Sequence, residues 1–284
     1  MSKKLIIIAA LSGVATTKEM APTVPITADE IAAEVVAVAK AGASIVHIHV
    51  RDDQGGPTMD SEKFKEAFYA TKKALAAEGL DMVINLTTSG ANGGTAPDEV
   101  RMAHLRELKP EMCSFDAGTM NWQCSIIFEN PPGFLEKLCK CTLEENIKPE
   151  LEIFDAGMMG NADYYMKQGL LKTPCHYQFV LGVLGGLEGT VGNLSFLVSK
   201  LPPDSTWSIT GLGKAHMPMM LAGLAMGCDC LRVGLEDNIY YSKGVKATNT
   251  QLVERAVKLG KLVGRSIASP QEAREILGLC KRQA

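Results

Sequence analysis

His47 and His49, in the run Val46-His47-Ile48-His49-Val50-Arg51-Asp52, are the residues of this chain whose types and spacing point most directly to chemistry. Side chains alternate faces along a strand, so both imidazoles project to one side. Two neutral imidazoles, one carboxylate and an open position make a catalytic zinc site, whereas the plainer reading is a histidine pair hydrogen-bonded in a polar pocket. A third ligand must come from another strand end. The run Leu231-Arg232-Val233-Gly234-Leu235-Glu236-Asp237-Asn238 offers one, with Arg232, Gly234 and Glu236 on a shared face, and Glu150 and Glu152 share a face further back. Carboxylates, an arginine and two histidines cannot be buried together without pairing one another or a metal. The cluster therefore reads as functional, against an ion-pair network that only fixes the fold.

Weaker signals lie at other turns. Asn85-Leu86-Thr87-Thr88-Ser89-Gly90 and Cys113-Ser114-Phe115-Asp116-Ala117-Gly118 place small hydroxyls where a substrate carboxylate or carbonyl could be held, although such residues also form ordinary turns. The segment 182–189 offers backbone donors suited to the phosphates of a nucleotide-like cofactor, and turn formation explains it equally well. Lys214 follows a later strand, where barrels often bind phosphate, and is either a coenzyme A contact or a solvated lysine. Cys139-Lys140-Cys141 and Cys228-Asp229-Cys230 are too closely spaced for a zinc ribbon and are discounted as ligands. Met217, Met219, Met220 and Met226 read as core packing.

The elements that must position these groups are legible from periodicity. Apolar runs of strand length at 4–11, 44–50, 81–87, 112–117, 150–154, 176–182, 206–211 and 230–236 alternate with amphipathic helix-length stretches, the signature of βαβ units. Thr27 with Glu30, Thr95 with Asp98, and Ser269 with Glu272 read as helix caps. Eight units with no Pro/Ser-rich linker predict an α/β fold, a TIM (β/α)8 barrel forming a single catalytic domain over 1–284; an open doubly wound sheet is the alternative. A net charge of -3 with no long basic run excludes a nucleic-acid surface and points to small-molecule partners. No apolar run is long enough to span a bilayer, and 5–11 reads as a first strand rather than a signal peptide. Eight cysteines then suggest free thiols and a cytoplasmic location.

On these residues the chain resembles the β-keto acid cleavage enzymes, whose founding member acts on 3-keto-5-aminohexanoate. The likeness spans nearly the whole sequence and is carried by His47-Ile48-His49-Val50-Arg51, Lys109-Pro110-Glu111-Met112, Ala117-Gly118-Thr119-Met120-Asn121, Gln178-Phe179-Val180-Leu181-Gly182-Val183 and Gly234-Leu235-Glu236-Asp237-Asn238. The resemblance implies a TIM barrel, a homo-oligomer (a tetramer), and zinc held by His47, His49 and Glu236. It implies substrate contacts at Thr87, Gly90 and Ser114, and a catalytic group of Arg232, Asp237 and Glu152 handling the α-proton of a β-keto acid. With acetyl-CoA as co-substrate, the products would be acetoacetate and a new acyl-CoA.

One departure bears on specificity. The founding enzyme has a glutamate for the substrate's amino group where this chain has Ala15, so an ammonium would lose its counter-charge and an uncharged or differently charged β-keto acid is expected. Burial beside Glu152 is expected to raise the basicity of Asp237. Two rival classes remain at this level: another metal-dependent barrel enzyme (a class II aldolase or a hydrolase, for which His216 is the best-placed additional histidine) and a non-catalytic ligand-binding barrel.

Overall fold

The computed structural model describes residues 3–280. From β1 (Ile6–Ala10) a long loop leads to α1 (Ala28–Ala41), and β2 (Ile45–Ile48), α2 (Ser61–Ala77), β3 (Val83–Leu86), α3 (Asp98–Leu108) and β4 (Met112–Asp116) follow in alternation. A hairpin, β5 (Met120–Trp122) with β6 (Ile126–Phe128), is inserted before α4 (Pro132–Glu144). Alternation resumes through β7 (Lys148–Ile153), α5 (Ala156–Lys167), β8 (His176–Leu181), α6 (Val191–Val198), β9 (Thr206–Gly211), α7 (His216–Ala225) and β10 (Cys230–Val233). A second hairpin, β11 (Tyr240–Ser242) with β12 (Val245–Lys246), precedes α8 (Asn249–Leu262) and α9 (Pro270–Leu277). The eight long strands are those expected from the sequence. They pair in parallel and in chain order, and β1 closes the ring by pairing with both β2 and β10 through Ala10↔His47 and Ile6↔Cys230. Closure rules out the open sheet.

Strand alternation divides the core in two. Outward residues such as Ile7, Val46, Ile84, Leu151, Phe179 and Leu231 pack beneath the helices against Val35, Phe64, Leu105 and Met220. Inward residues at the strand starts, Ile6, Ile8, Ile45, Val83, Met112 and Cys230, meet Ala273 and Leu277 of α9, which seals the barrel floor. Arg274 on the same helix donates through Nη1 (2.5 Å) and Nη2 (3.0 Å) to Asp81 and through Nε (2.5 Å) and Nη2 (3.0 Å) to Glu111. Met219 and Met220 are buried as expected, and the eight cysteines are free thiols.

Two expected caps form reciprocal boxes, Thr27 with Glu30 on α1 and Ser269 with Glu272 on α9. Thr95 does not cap α3. Pro97 occupies that position without a side-chain bond, and the Thr95 hydroxyl donates to the Asn92 carbonyl at 3.2 Å. Thr95 thus lies two residues before the N-cap, outside the position from which a side chain meets the first helical turn. Among the described residues no helix is long and apolar enough to cross a membrane.

Candidate metal and acid-base site

At the C-terminal mouth of the barrel, His47 and His49 leave β2 on one face with ring centroids 4.9 Å apart. Glu236 comes from the turn after β10, and its Oε1 lies 3.3 Å from His49 Nε2 and 3.8 Å from His47 Nε2. The turn depends on Gly234. At φ +152 a Cβ there would stand 1.8 Å from the Ala10 carbonyl oxygen, so only glycine lets β10 pass this close to β1. Asn249, at the start of α8, accepts from the Leu235 amide (2.8 Å) and donates to the Leu11 carbonyl (3.1 Å). Thr16 donates to the Leu235 carbonyl at 2.8 Å, and Arg51 holds the same loop through the carbonyls of Gly13 (3.0 Å) and Thr16 (3.1 Å). The loop after β1 and the turn after β10 are thus tied together around Glu236.

This donor set suits a divalent metal. One ligand atom from each of the three residues falls within 4.8 Å of the others, as for ligands sharing one tetrahedral ion. Burial lowers the His47 imidazole to about 4, outweighing the pull of Glu236, so its lone pair is free at neutral pH. Burial would raise Glu236, but Arg232, His49 and His47 prevail and hold it well below the carboxylate range. Its second oxygen, Oε2, is buried with no hydrogen-bond partner, an acceptor that a metal would satisfy.

Beside the trio lies Arg232, buried and held cationic by the acids around it. Its Nε donates to Asp237 Oδ2 (3.0 Å), Nη2 to Asp237 Oδ1 (3.2 Å) and Glu236 Oε1 (2.5 Å), and Nη1 to Glu152 Oε1 (3.3 Å). Thr210 adds a bond to Asp237 Oδ2 at 3.2 Å. Burial raises Asp237 despite Arg232, and the like-charge neighbour that assists is Glu236. Glu152 is pushed well above the usual range by burial, with Asp116, Glu150 and Glu236 adding repulsion. Burial thereby makes both carboxyls more basic than an ordinary acid, with Arg232 opposing the shift in each, an arrangement suited to moving a proton.

A single cavity is lined by these groups together with Thr87, Ser114, Ala15 and Asp116. The Ser114 hydroxyl accepts from the Thr88 amide at 3.0 Å, and the Thr87 hydroxyl accepts from the Ser89 amide at 3.1 Å. Gly90 is set back from the lining, where Ser89, Ala91 and Gly93 appear instead, and its φ of +79 turns the chain around Arg101. The rest of the wall is apolar: Trp122, Ile126 and Phe128 from the β5–β6 hairpin with Phe154, Val180 and Leu212. Trp122, Phe128 and Phe154 meet edge to face at 5.6–6.4 Å, too closely packed to admit a group between them.

Other sequence candidates lie elsewhere. Lys214 is exposed on a one-turn 3-10 helix. In the 182–189 segment the Gly182, Gly186 and Leu187 amides bond to Leu187, Val183 and Phe154 carbonyls, so the turn itself uses them. His216 is buried against Asn238, 2.9 Å from Nδ1 to Nδ2, and does not line the cavity, which removes the additional histidine that a hydrolase would use. Sequence reasoning passed over Asp116. It shares a strand face with Ser114, lines the cavity, and has a buried Oδ2 without a partner; burial lifts it to about 6.

A closed parallel barrel carries two histidines and one carboxylate together at its C-terminal mouth, the end at which enzymes of this fold place their active sites. A model of the family "beta-keto acid cleavage enzyme" matches residues 4–279, and the chain belongs to that family. It is similar to the 3-keto-5-aminohexanoate cleavage enzyme of Fusobacterium nucleatum, with 42% identity over 282 residues covering 99% of this chain and all of that protein. It is also similar to the 3-dehydrocarnitine:acetyl-CoA trimethylamine transferase of Rhizobium meliloti, with 32% identity covering 99% of each. Among solved structures, apo ObcA superposes with a TM-score of 0.80 at 22% identity, over 91% of this chain and 66% of that one, a likeness of fold.

Proposed function

We propose that this protein is a zinc-dependent enzyme that exchanges the acyl group of a β-keto acid with acetyl-CoA, releasing acetoacetate and a new acyl-CoA. The observation that carries this reading is the convergence of His47, His49 and Glu236 with the Arg232–Asp237–Glu152 network in one cavity. The relatives' names support the co-substrate. Zinc at the trio would act as a Lewis acid toward the β-keto acid, making the α-proton removable. Thr87 and Ser114, with the turn at Gly90, orient the substrate carboxylate. Asp237, raised by burial, takes the α-proton, while Arg232 holds Asp237 and offsets the negative charge. The carbanion attacks the thioester carbonyl of acetyl-CoA and expels the CoA thiolate. That thiolate attacks the original ketone, whose bond to the α-carbon breaks to leave the acyl-CoA and the acetoacetate carbanion; the proton held by Asp237 then returns to that carbon, with Glu152 on the same arginine assisting its passage.

The tail of the substrate is read as uncharged. Ala15 offers no counter-charge, and the wall of Trp122, Ile126, Phe128, Phe154, Val180 and Leu212 offers apolar surface. The test is acetoacetate release when zinc-loaded protein meets acetyl-CoA and β-keto acids with alkyl, carboxylate, ammonium and trimethylammonium tails. Release that stops on chelation supports the reaction, and alkyl tails should exceed ammonium tails. Silence across the panel would sink the reading. We read the protein as a homo-oligomer, with exposed Phe196 of α6 and Leu221 of α7 as a contact surface, to be tested by light scattering.

A further inference from the structure

Arg101, on α3, is buried, and the proposed reaction gives it no part. Its bonds run to neutral oxygens in separate segments. Nε donates to the Thr88 carbonyl (2.8 Å), Nη1 to the carbonyls of Glu129 (2.9 Å) and Gly94 (3.4 Å), and Nη2 to Asn130 Oδ1 (2.6 Å). The Phe134 ring of α4 covers the guanidinium, with 3.5 Å from Cζ to the ring centroid. Burial lowers the group to about 10, with Asp116, Asp98 and Glu129 opposing, so it stays cationic at neutral pH. A buried cation is costly to keep, and a planar fork is the side chain that can hold several oxygens at fixed angles.

Those oxygens belong to two walls of the cavity. Thr88 stands between Thr87 and Ser89, which line it, and binds Ser114 twice, from its amide to the Ser114 hydroxyl (3.0 Å) and from its own hydroxyl to the Ser114 carbonyl (2.9 Å). His104, one turn further along α3, meets the Thr87 carbonyl at 3.0 Å. Glu129 and Asn130 follow β6, which contributes Ile126 and Phe128 to the apolar wall. The walls also touch directly. The Glu129 amide donates to the Gly93 carbonyl at 2.7 Å, and a Cβ at Gly94 would stand 2.4 Å from the Glu129 carbonyl oxygen. Asn130 extends the link to the loop after β4, donating from its amide to Thr119 Oγ1 (2.9 Å) and from Nδ2 to the Gly118 carbonyl (3.4 Å).

We infer that Arg101 is a positioning residue that fixes the separation between the hydroxyl wall and the apolar wall, and thereby sets which substrate tails the cavity accepts. The inference rests on the proposed reading of Thr87 and Ser114 as carboxylate contacts and of the hairpin as the surface that meets the tail. A substrate held at both walls must match the span between them, and one side chain bonded to both sets that span. Lysine keeps the charge but is a point donor without the fork. The metal trio stands on β2 and on the turn after β10, and none of the Arg101 bonds goes there.

The experiment uses the full-length zinc-loaded protein and its Arg101→Lys and Asn130→Ala variants. It measures kcat and KM for acetoacetate release with straight-chain β-keto acids of increasing tail length, calorimetric binding of the same acids without acetyl-CoA, and zinc affinity by chelator competition. Arg101→Lys should raise KM for the parent's preferred tail by about 10- to 100-fold, change kcat less, and flatten the dependence on tail length, with zinc affinity unchanged. Asn130→Ala, which removes one of the four acceptors, should shift KM and tail preference the same way by less. An Arg101→Lys enzyme that loses stability or kcat equally for every tail, with KM and tail preference as in the parent, would reduce Arg101 to a structural group and overturn the inference. If that variant does not fold, a parent-like KM and tail preference in Asn130→Ala overturns it instead. A parent that binds the acids without turning them over removes the proposed reaction alone, and the affinities then judge Arg101 by the same ratios. A parent that neither binds nor turns over any of them removes both.

Discussion

Each end of the barrel buries one arginine among carboxylates, and the two are used differently. At the floor Arg274 divides its guanidinium between Asp81 and Glu111, a cation matched by acids that bridge α9 to the starts of β3 and β4. At the mouth Arg232 faces Glu152, Glu236 and Asp237, with Asp116 lining the same cavity. Acids outnumber the cation at both ends, but at the mouth Glu236 Oε2 and Asp116 Oδ2 are in addition buried without partners. Buried ions persist when they are paired, so the floor is what a structural ion pair looks like. The mouth carries perturbed carboxyls and acceptors that its one arginine does not satisfy, which marks a functional cluster rather than a structural pair.

The sharpest way to break this comparison is to remove each arginine in turn. Arg232→Met should lower kcat/KM for acetoacetate formation by about 10^2–10^3-fold, the usual loss when a preorganised charge is deleted from a reacting site. Its effect on folding should be milder, because Glu152 and Asp237 already sit above the usual range and can take up protons once the cation is gone. Arg274→Met should do the reverse. It should cost roughly 3 kcal/mol in denaturant unfolding, the lower end for breaking a buried pair because Asp81 is half exposed, and leave the turnover of folded enzyme intact. If Arg274→Met impaired turnover more than stability, the division into structural floor and chemical mouth would fail.

A smaller effect sharpens what sets the mouth apart. Asp116 has a folded pKa of about 6 against an ordinary 3.8, so the folded protein binds that proton more tightly than the unfolded chain. Below about 3.8 both states are protonated and burial costs nothing; as pH rises toward 6 the unfolded chain ionises first and stability falls. Asp116→Asn should therefore stabilise the protein by up to ~3 kcal/mol at pH 8, with the gain shrinking toward pH 5. Unfolding midpoints of parent and variant at the two pH values measure it. A gain independent of pH would mean that folding leaves the Asp116 carboxyl at its ordinary pKa.

The eight barrel strands were legible because alternation and helix-length spacing are local signals, and the β10–β1 closure followed from their number. His47, His49, Arg232 and Glu152 were legible because period two sets their faces along the strands, whereas Glu236 reaches the site through the turn at Gly234 just past the end of β10. Asp116 is equally visible by that rule, two residues beyond Ser114 on the same face, but a lone carboxylate beside a turn is no stronger a signal than the hydroxyls next to it. Three kinds of feature could not be read. The β5–β6 hairpin is three residues a side and has no periodicity to show, yet it supplies much of the apolar wall. The withdrawal of Gly90 behind Arg101 depends on tertiary packing. The link between Asn85 and Glu150 joins strands distant in sequence, and no spacing announces it.

The smallest predicted effect tests whether the floor is only a floor. Ser269 accepts from the Glu272 amide while Glu272 returns a bond to the Ser269 amide, and Pro270 presets the first turn of α9. Replacing Ser269 by Ala removes one half of that box and should cost ~1 kcal/mol. The loss should be smaller than for Arg274→Met, because Arg274, Ala273 and Leu277 still hold the helix against the strand starts. Hydrogen exchange should quicken at the first turn of α9 while the amides of the β10–β1 seam stay protected, and turnover should not change. Exchange that quickened at the Leu235 and Glu236 amides as well would show that the floor and the mouth unfold as one unit. The metal trio would then owe its geometry to the α9 cap at the opposite end of the strands.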